Sequence, residues 1–139
     1  MRLSYLPSMR WLRDRLRRPP AREHTRTVLI VDGSPEDRQS TRRVVEQLGY
    51  RAVEAADGEE ASRRVAAERP ARVLLALDLP GQSGLEVLRD LRAAQPDLGI
   101  IMLAPNWRDA RMVEAMRQGA VAYLSKPFGA IDLRELLPA

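Results

Sequence analysis

Residues 28–35 read Val-Leu-Ile-Val-Asp-Gly-Ser-Pro, an apolar run that ends in a polar turn. Four consecutive branched apolar residues are typical of a strand covered on both faces, as in a parallel sheet. Ser34 can cap a helix that follows, with Pro35 at its first position. Core-facing positions at helical spacing then run through residues 41–48, and Gly49 ends the pattern. The stretch therefore predicts a strand followed by a helix.

The same alternation of strand and helix continues along the rest of the chain. Four further strands are predicted, over residues 51–55, 73–77, 99–104 and 121–124. Asp57 is predicted to cap the second helix, Ser83 the third, and Asn106 and Asp109 the fourth, and a short last helix is predicted from about residue 130 to 137. Five strands alternating with five helices predict a doubly wound α/β fold with a five-stranded parallel sheet. Ligands of such sheets bind beyond the carboxyl ends of the strands.

The composition excludes several classes of functional site. The 139 residues contain no cysteine, which excludes disulfides, thiolate metal sites and cysteine nucleophiles. A single histidine gives little support to histidine catalysis or histidine metal sites. No stretch approaches the roughly 18 uninterrupted apolar residues of a membrane-spanning helix. Lys126 is the only lysine among 23 basic residues, which makes it a candidate for a specific role.

Positive charge is concentrated in an N-terminal arm, residues 1–26, whereas residues 27–139 form the predicted domain. The net charge is +4, but the arm alone holds eight arginines and two acidic residues. Residues 8–18 are compatible with a flexible segment or with a short amphipathic helix. Five of its arginines are candidates for binding nucleic acid, an anionic membrane surface or an acidic partner: Arg10, Arg13, Arg15, Arg17 and Arg18.

Three segments carry a resemblance to a known family through their residues, order and spacing: residues 28–32, residues 73–75 leading to 79–84, and residues 120–128. Together they resemble the receiver domain of bacterial response regulators, the CheY-like module of two-component phosphorelay signal transduction. The resemblance covers residues 27–137. It implies a flavodoxin-like fold with strand order 2-1-3-4-5, in agreement with the strand and helix pattern.

The resemblance implies a site in which an aspartate at the end of the third strand accepts a phosphoryl group. An acidic pair after the first strand holds Mg²⁺, a hydroxyl ends the fourth strand, and a lysine follows the fifth. When these roles are carried over by position, Ala76 occupies the phosphoacceptor position, Gly33 the position of the second acid and Ala104 the position of the hydroxyl. Asp32 and Lys126 keep their functional groups. The chain is therefore predicted to be a degenerate pseudo-receiver with no catalytic residue, cofactor or metal.

Asp78 leaves an alternative open, because it lies two residues past the missing acceptor. Its carboxylate could accept the phosphoryl group, with Mg²⁺ bound by Asp32 and Asp78, or it could point to solvent or cap the turn. Asp32 and Lys126 also have two interpretations. They are retained either to bind a ligand or as a partly buried ion pair between the ends of the fifth and first strands.

The function expected from the resemblance is a stand-alone, cytoplasmic interaction module that works without phosphorylation and is not an enzyme. Its partner would be a histidine kinase, another response regulator or a localisation factor. The expected contact surface joins the fourth helix to the fifth strand and contains Arg108, Arg111 and Arg117, which could equally be an ordinary solvated face. Tyr123 occupies the family's aromatic switch position and is expected to be uncoupled, because Ala104 has no hydroxyl.

Two alternatives to this function remain, and one expectation concerns assembly. The chain could be a phosphoacceptor through Asp78 with Mg²⁺, or a binder of nucleic acid or membrane through the basic arm. A monomer is expected, because the shortened last helix removes part of the surface with which many family members dimerise.

Overall fold

The computed structural model describes residues 26–138, in which continuous apolar runs form the interior of one parallel sheet. Its five strands are β1 Thr27–Val31, β2 Arg51–Ala55, β3 Arg72–Ala76, β4 Gly99–Ala104 and β5 Ala122–Ser125. The strands are parallel and lie in the order β2-β1-β3-β4-β5. The predicted doubly wound sheet, with strand order 2-1-3-4-5, is therefore confirmed.

Three long helices begin where the sequence places their caps. They are α1 Pro35–Gln47, α2 Gly58–Glu68 and α3 Gly84–Ala94. The side chains of Ser34, Asp57 and Ser83 accept hydrogen bonds from backbone N–H groups in the first turns. These bonds satisfy donors that have no partner within the helix, which fixes where each helix begins.

The two remaining helices are short. Helix α4 spans Arg111–Arg117 and helix α5 spans Ala130–Arg134. Of the two predicted caps of α4, Asp109 accepts a hydrogen bond from the backbone N–H of Arg111, the first residue of the helix, whereas Asn106 bonds to the N–H of residue 108 in the preceding turn. The residue that precedes α4 is Ala110, which provides no side-chain cap. The expectation of a short last helix is confirmed by α5.

A small hairpin follows β3 where the sequence predicts only a turn. Two short strands, Asp78–Leu79 and Gln82–Ser83, pair in the antiparallel direction and flank the turn at Pro80 and Gly81. Gly81 has φ +71°, a conformation that glycine adopts without steric cost. We refer to residues 78–83 as the hairpin. It projects Asp78 beyond the carboxyl edge of the sheet.

The core lies on both faces of the sheet. Successive strand residues point to opposite faces, so Leu29 and Leu75 pack on one side while Ile30 and Leu74 pack on the other. All four side chains are fully buried, and each such burial contributes roughly 1.5–3 kcal/mol to folding. The sheet is therefore a rigid apolar support for the polar residues that follow its strands.

Strand register brings the carboxyl ends of the central strands to one edge. Ala76 lies opposite Leu103, and Ala104 lies opposite Ser125. The segments that follow β1, β3, β4 and β5 therefore meet at this edge, where doubly wound sheets bind their ligands.

Within residues 26–138, no helix is long and apolar enough to cross a membrane. The predicted basic arm and its possible helix at residues 8–18 lie outside the described residues, except for Arg26, whose guanidinium lies 4.5 Å from the centre of the Tyr50 ring.

Candidate functional site

An open cleft of about 770 Å³ lies at the carboxyl edge of the sheet. The residues that line it come from the segments after β1, β3, β4 and β5: Asp32, Gly33, Ser34, Asp37, Asp78, Leu79, Pro80, Pro105, Lys126 and Pro127. Four predicted pocket residues are therefore brought together here, namely Asp32, Gly33, Asp78 and Lys126. The other two, Ala76 and Ala104, are buried at the ends of β3 and β4.

The only lysine of the sequence binds two carboxylates at the bottom of the cleft. Lys126 Nζ lies 2.6 Å from Asp32 Oδ2 and 2.8 Å from Asp37 Oδ2. The second oxygen of Asp32 accepts a hydrogen bond from the backbone N–H of Ser34 at 3.0 Å. The Asp32 side chain is only 3% exposed, whereas that of Lys126 is 24% exposed. We call Asp32, Asp37 and Lys126 the inner triad.

Electrostatics favour the charged form of Lys126. Burial alone would lower the pKa of its ammonium, but the hydrogen bonds to Asp32 and Asp37 outweigh burial and raise that pKa above its ordinary value. Lys126 is therefore a cation that donates two of its three N–H groups to protein carboxylates. The predicted ion pair between Asp32 and Lys126 is present, and it joins the segment after β5 to the segment after β1.

Asp37 is a member of this cluster that was not predicted from the sequence as a site residue. It lies in the first turn of α1, where its backbone N–H donates to Ser34 Oγ at 3.2 Å. Its position in the sequence could have predicted this role, because a residue in the first helical turn after β1 lies at the same edge of the sheet as Asp32. Its carboxylate gives the inner triad two negative charges and one positive charge.

A second cluster with the same charges lies at the rim of the cleft. Arg111 Nη1 and Nη2 donate to the two oxygens of Asp78 at 2.7 and 3.3 Å. Arg111 also donates to Asp109, from Nε at 3.0 Å and from Nη2 at 2.7 Å. We call Asp78, Asp109 and Arg111 the outer triad. The Asp78 side chain is 70% exposed and that of Arg111 is 39% exposed.

The guanidinium of Arg111 sets the titration of both carboxylates in the outer triad. Its hydrogen bonds lower the pKa of Asp78 and of Asp109 below the usual aspartate value. Arg111 was expected as an exposed contact residue, but it is half-buried and bonded to these two partners. Asp78, the candidate displaced acceptor, lies in the cleft with both oxygens engaged by Arg111.

The three positions predicted to have lost a functional group, Gly33, Ala76 and Ala104, differ in how much room they offer for a side chain. Ala76 and Ala104 are buried, and neither methyl group has an atom that can accept or bind a phosphoryl group. At Gly33, an added Cβ would lie 2.7 Å from Cδ of Pro80. The hairpin therefore occupies the space in which a second acidic side chain would begin.

The oxygen atoms that the cleft offers as metal ligands do not match the magnesium site that the resemblance implies. Magnesium prefers several free oxygen ligands in near-octahedral geometry. Asp32 uses both oxygens in hydrogen bonds, Gly33 offers no carboxylate, and Asp78 is bound to Arg111. Among residues 26–138, no group of three or more histidine, cysteine or acidic side chains is placed to hold a metal ion.

An apolar surface lies beside the cleft on α4 and β5. Val113, Met116 and Tyr123 are 61%, 42% and 44% exposed, and with Met112 and Arg117 they line a groove of about 460 Å³. We call Val113, Met116, Arg117 and Tyr123 the α4–β5 face. Of the predicted arginines, Arg117 belongs to this face. Arg108 lies on the loop before α4 and stacks on the ring of Trp107, with its guanidinium 4.7 Å from the ring centre.

Comparison with known proteins agrees with this geometry. The model of the response regulator receiver domain family matches residues 28–138. Response regulator MprA from Mycolicibacterium vanbaalenii is 39% identical over 106 residues, which cover 76% of this chain and 46% of MprA. The chain thus spans less than half the length of this curated relative.

Solved structures show the same fold. Chemotaxis protein CheY4 from Vibrio cholerae is 28% identical with a TM-score of 0.72, covering 78% of this chain and 92% of CheY4. The receiver domain of sensor histidine kinase PA1611 from Pseudomonas aeruginosa, solved with a magnesium ion in its active site cleft, is also 28% identical with a TM-score of 0.72. That match covers 79% of this chain and 92% of the PA1611 chain. The matched residues, the sheet order and the position of the cleft show that this chain belongs to the response regulator receiver domain family.

Proposed function

We propose that this chain is a two-component signalling module that binds other signalling proteins without accepting a phosphoryl group or binding Mg²⁺. The observation that carries the proposal is the inner triad beside Ala76. The lysine that would meet phosphoryl oxygens is bound to Asp32 and Asp37 at 2.6 and 2.8 Å, and the acceptor position is an alanine. The cleft has the shape of a receiver site and lacks its reactive atoms.

Charge in the cleft supports the same proposal. A phosphoryl group adds negative charge, so it needs cations with free donors. Both cations at the cleft, Lys126 and Arg111, are already shared between two carboxylates each. A phosphoryl group would have to displace these carboxylates, and the displaced Asp32 would remain a buried anion without a partner.

The α4–β5 face is the contact surface in this proposal. Exposed apolar side chains beside a groove are typical of protein interaction sites rather than of ordinary solvated surface. Val113 and Met116 provide the apolar area, and Arg117 provides a charge at its edge. A partner that presents apolar side chains and an acidic residue would match this face, as a histidine kinase or another response regulator can.

Intact-protein mass spectrometry after incubation with acetyl phosphate and Mg²⁺ tests the chemical half of the proposal. The wild-type chain should gain no phosphoryl group under conditions that label a receiver domain carrying its acceptor aspartate. A single added phosphoryl group that disappears in Asp78→Asn would overturn the proposal and identify Asp78 as a displaced acceptor.

Binding measurements with purified kinases and response regulators of the source organism test the second half. Val113→Asp and Met116→Asp place a charge in the groove and should weaken a true complex at least tenfold. Ala66→Asp, an exposed apolar position on α2, is the matched control and should leave affinity unchanged. Complexes that form only after acetyl phosphate treatment, or that respond equally to all three variants, would contradict the proposal.

A further inference from the structure

We infer that the outer triad is a permanent conformational clamp: Arg111 fixes the first turn of α4 to the hairpin, so that the α4–β5 face keeps one arrangement without any phosphoryl group. The inference stands on the contacts of residues 105–117 and the hairpin. It does not require that the α4–β5 face bind a partner, so it can fail or hold independently of the proposed function.

Helix α4 has weak anchors of its own. It is seven residues long, and the residue before it, Ala110, provides no side-chain cap. Only Met112 and Ala115 of the helix are buried, while Val113 and Met116 are largely exposed. A helix this short has little intrinsic stability, so its position depends on what ties it to the rest of the domain.

Arg111 provides that tie because it is the first residue of the helix. Its guanidinium binds both oxygens of Asp78, 33 positions earlier in the chain, in a two-pronged arrangement that defines direction as well as distance. Within residues 26–138, the side-chain hydrogen bonds that connect residues 105–111 to another part of the domain are these two. The bond from Gly84 N–H to the Leu77 carbonyl at 2.7 Å closes the base of the hairpin, and the Leu77 N–H in turn donates to the Leu103 carbonyl of β4 at 3.2 Å.

Asp109 makes the clamp rigid at its other end. Its Oδ1 accepts from both the backbone N–H and the Nε of Arg111, each at 3.0 Å. Its side chain is only 12% exposed, so this part of the cluster is shielded from water. Asp109 therefore orients the guanidinium that Asp78 binds. Together the two carboxylates fix the orientation of the start of α4 relative to the hairpin.

The clamp fills a gap that Ala104 leaves. Ala104 provides no hydroxyl at the end of β4, so this position cannot form a hydrogen bond with a group bound at the bottom of the cleft. The tie from Asp78 to Arg111 instead crosses the rim and is present in the unmodified chain. The position of α4 is thereby set by two charged side chains rather than by a reversible modification.

Amide hydrogen exchange of the full chain tests the clamp. Arg111→Gln should raise exchange rates in residues 105–117 by about fivefold and Asp78→Asn by about twofold, as expected when about 1 and about 0.5 kcal/mol of local stability are lost. The double variant should exchange no faster than Arg111→Gln alone, because both changes remove the same bonds. Exchange in α3 should stay unchanged in every variant.

Arg108→Gln is the matched control, since it removes an arginine from the same loop that stacks on Trp107 and is no part of the triad. It should leave exchange in residues 112–117 unchanged. Unaltered exchange in both Asp78→Asn and Arg111→Gln, or an equal increase in Arg108→Gln, would overturn the inference. If Arg111→Gln unfolds, Asp78→Asn decides alone, because Asp78 is 70% exposed and its loss leaves the core intact.

Discussion

The two triads of the cleft have the same charges, one cation shared by two carboxylates, but Asp32 of the inner triad and Asp78 of the outer triad lie at different depths. In the inner triad the Asp32 carboxylate is 3% exposed, whereas in the outer triad the Asp78 carboxylate is 70% exposed. Water and salt screen an exposed ion pair and barely reach a buried one. We therefore expect the bond between Lys126 and Asp32 to matter mainly for stability, and the bond between Arg111 and Asp78 to matter mainly for orientation.

Removal of the inner cation should produce the largest effect. Lys126→Met leaves Asp32 buried without its partner, and we expect the free energy of unfolding to fall by about 3 kcal/mol, the lower end of the range for a broken buried pair. Urea denaturation at neutral pH measures it. Arg63→Met breaks only an exposed pair with Glu59 and should cost less than about 0.5 kcal/mol. Equal costs for the two variants would show that depth does not distinguish the triads.

A side chain at Gly33 tests whether the inner side of the cleft has room for a missing acid. Gly33→Ala places a Cβ 2.7 Å from Pro80 and should cost about 1–3 kcal/mol, as overpacking does. Gly129→Ala is the control, because the nearest atom to its Cβ would be 4.0 Å away. Thermal or urea unfolding compares them, and a stable Gly33→Ala variant would show that the hairpin yields easily.

Salt should separate the two triads further. Arg111→Gln is expected to cost about 1 kcal/mol at low ionic strength and clearly less in 1 M NaCl, because the exposed pair with Asp78 is already screened there. The cost of Lys126→Met should change little with salt. Urea titrations at both salt concentrations measure the two costs. If both costs fell equally with salt, burial would not distinguish the two ion pairs.

The smallest expected effect is a pH dependence of the outer triad. Because Arg111 lowers the pKa of Asp78 in the folded chain, its contribution is present above the ordinary value of 3.8 and is lost as the pH falls below it. The stability difference between wild type and Asp78→Asn, about 0.5 kcal/mol, should be constant from about pH 5 to 9 and disappear in stronger acid. Denaturation across this range checks it; a difference that grows in acid would contradict the assignment.

The sign for Lys126 is opposite. Its pKa is raised above 10.5 in the folded chain, so its contribution to stability is complete below that value and is lost only as the pH rises through the raised pKa. The two triads should therefore weaken at opposite ends of the pH range.

The sequence predicts what depends on periodicity and on local capping. Continuous apolar runs identify the strands, and Ser34, Asp57 and Ser83 identify the helix starts, because both signals lie within a few residues. The prediction that Ala76 and Ala104 occupy reactive positions of the family rests on their spacing to a motif. Asn106 was wrongly predicted as a cap of α4 because it bonds within the preceding turn, an equally local use of the same residue type.

Pairing between distant charges is what the sequence cannot predict. Arg111 and Asp78 are 33 residues apart, and a chain with 22 arginines offers many equivalent partners for any one carboxylate. The close approach of Pro80 to Gly33 also depends on how the hairpin folds back over the cleft. Both contacts decide what the site can bind, and both require three-dimensional coordinates.

The inner triad also makes the reactivity of Lys126 a measure of how often the cleft opens. Lys126 carries the only side-chain amine in 139 residues, and reagents that acylate amines react with the neutral, unbound form. Its raised pKa and its two bonds to carboxylates keep that form rare while the triad is closed. The rate at which this one side chain is acylated, read by mass at a single tryptic peptide, would therefore count how often the bottom of the cleft opens.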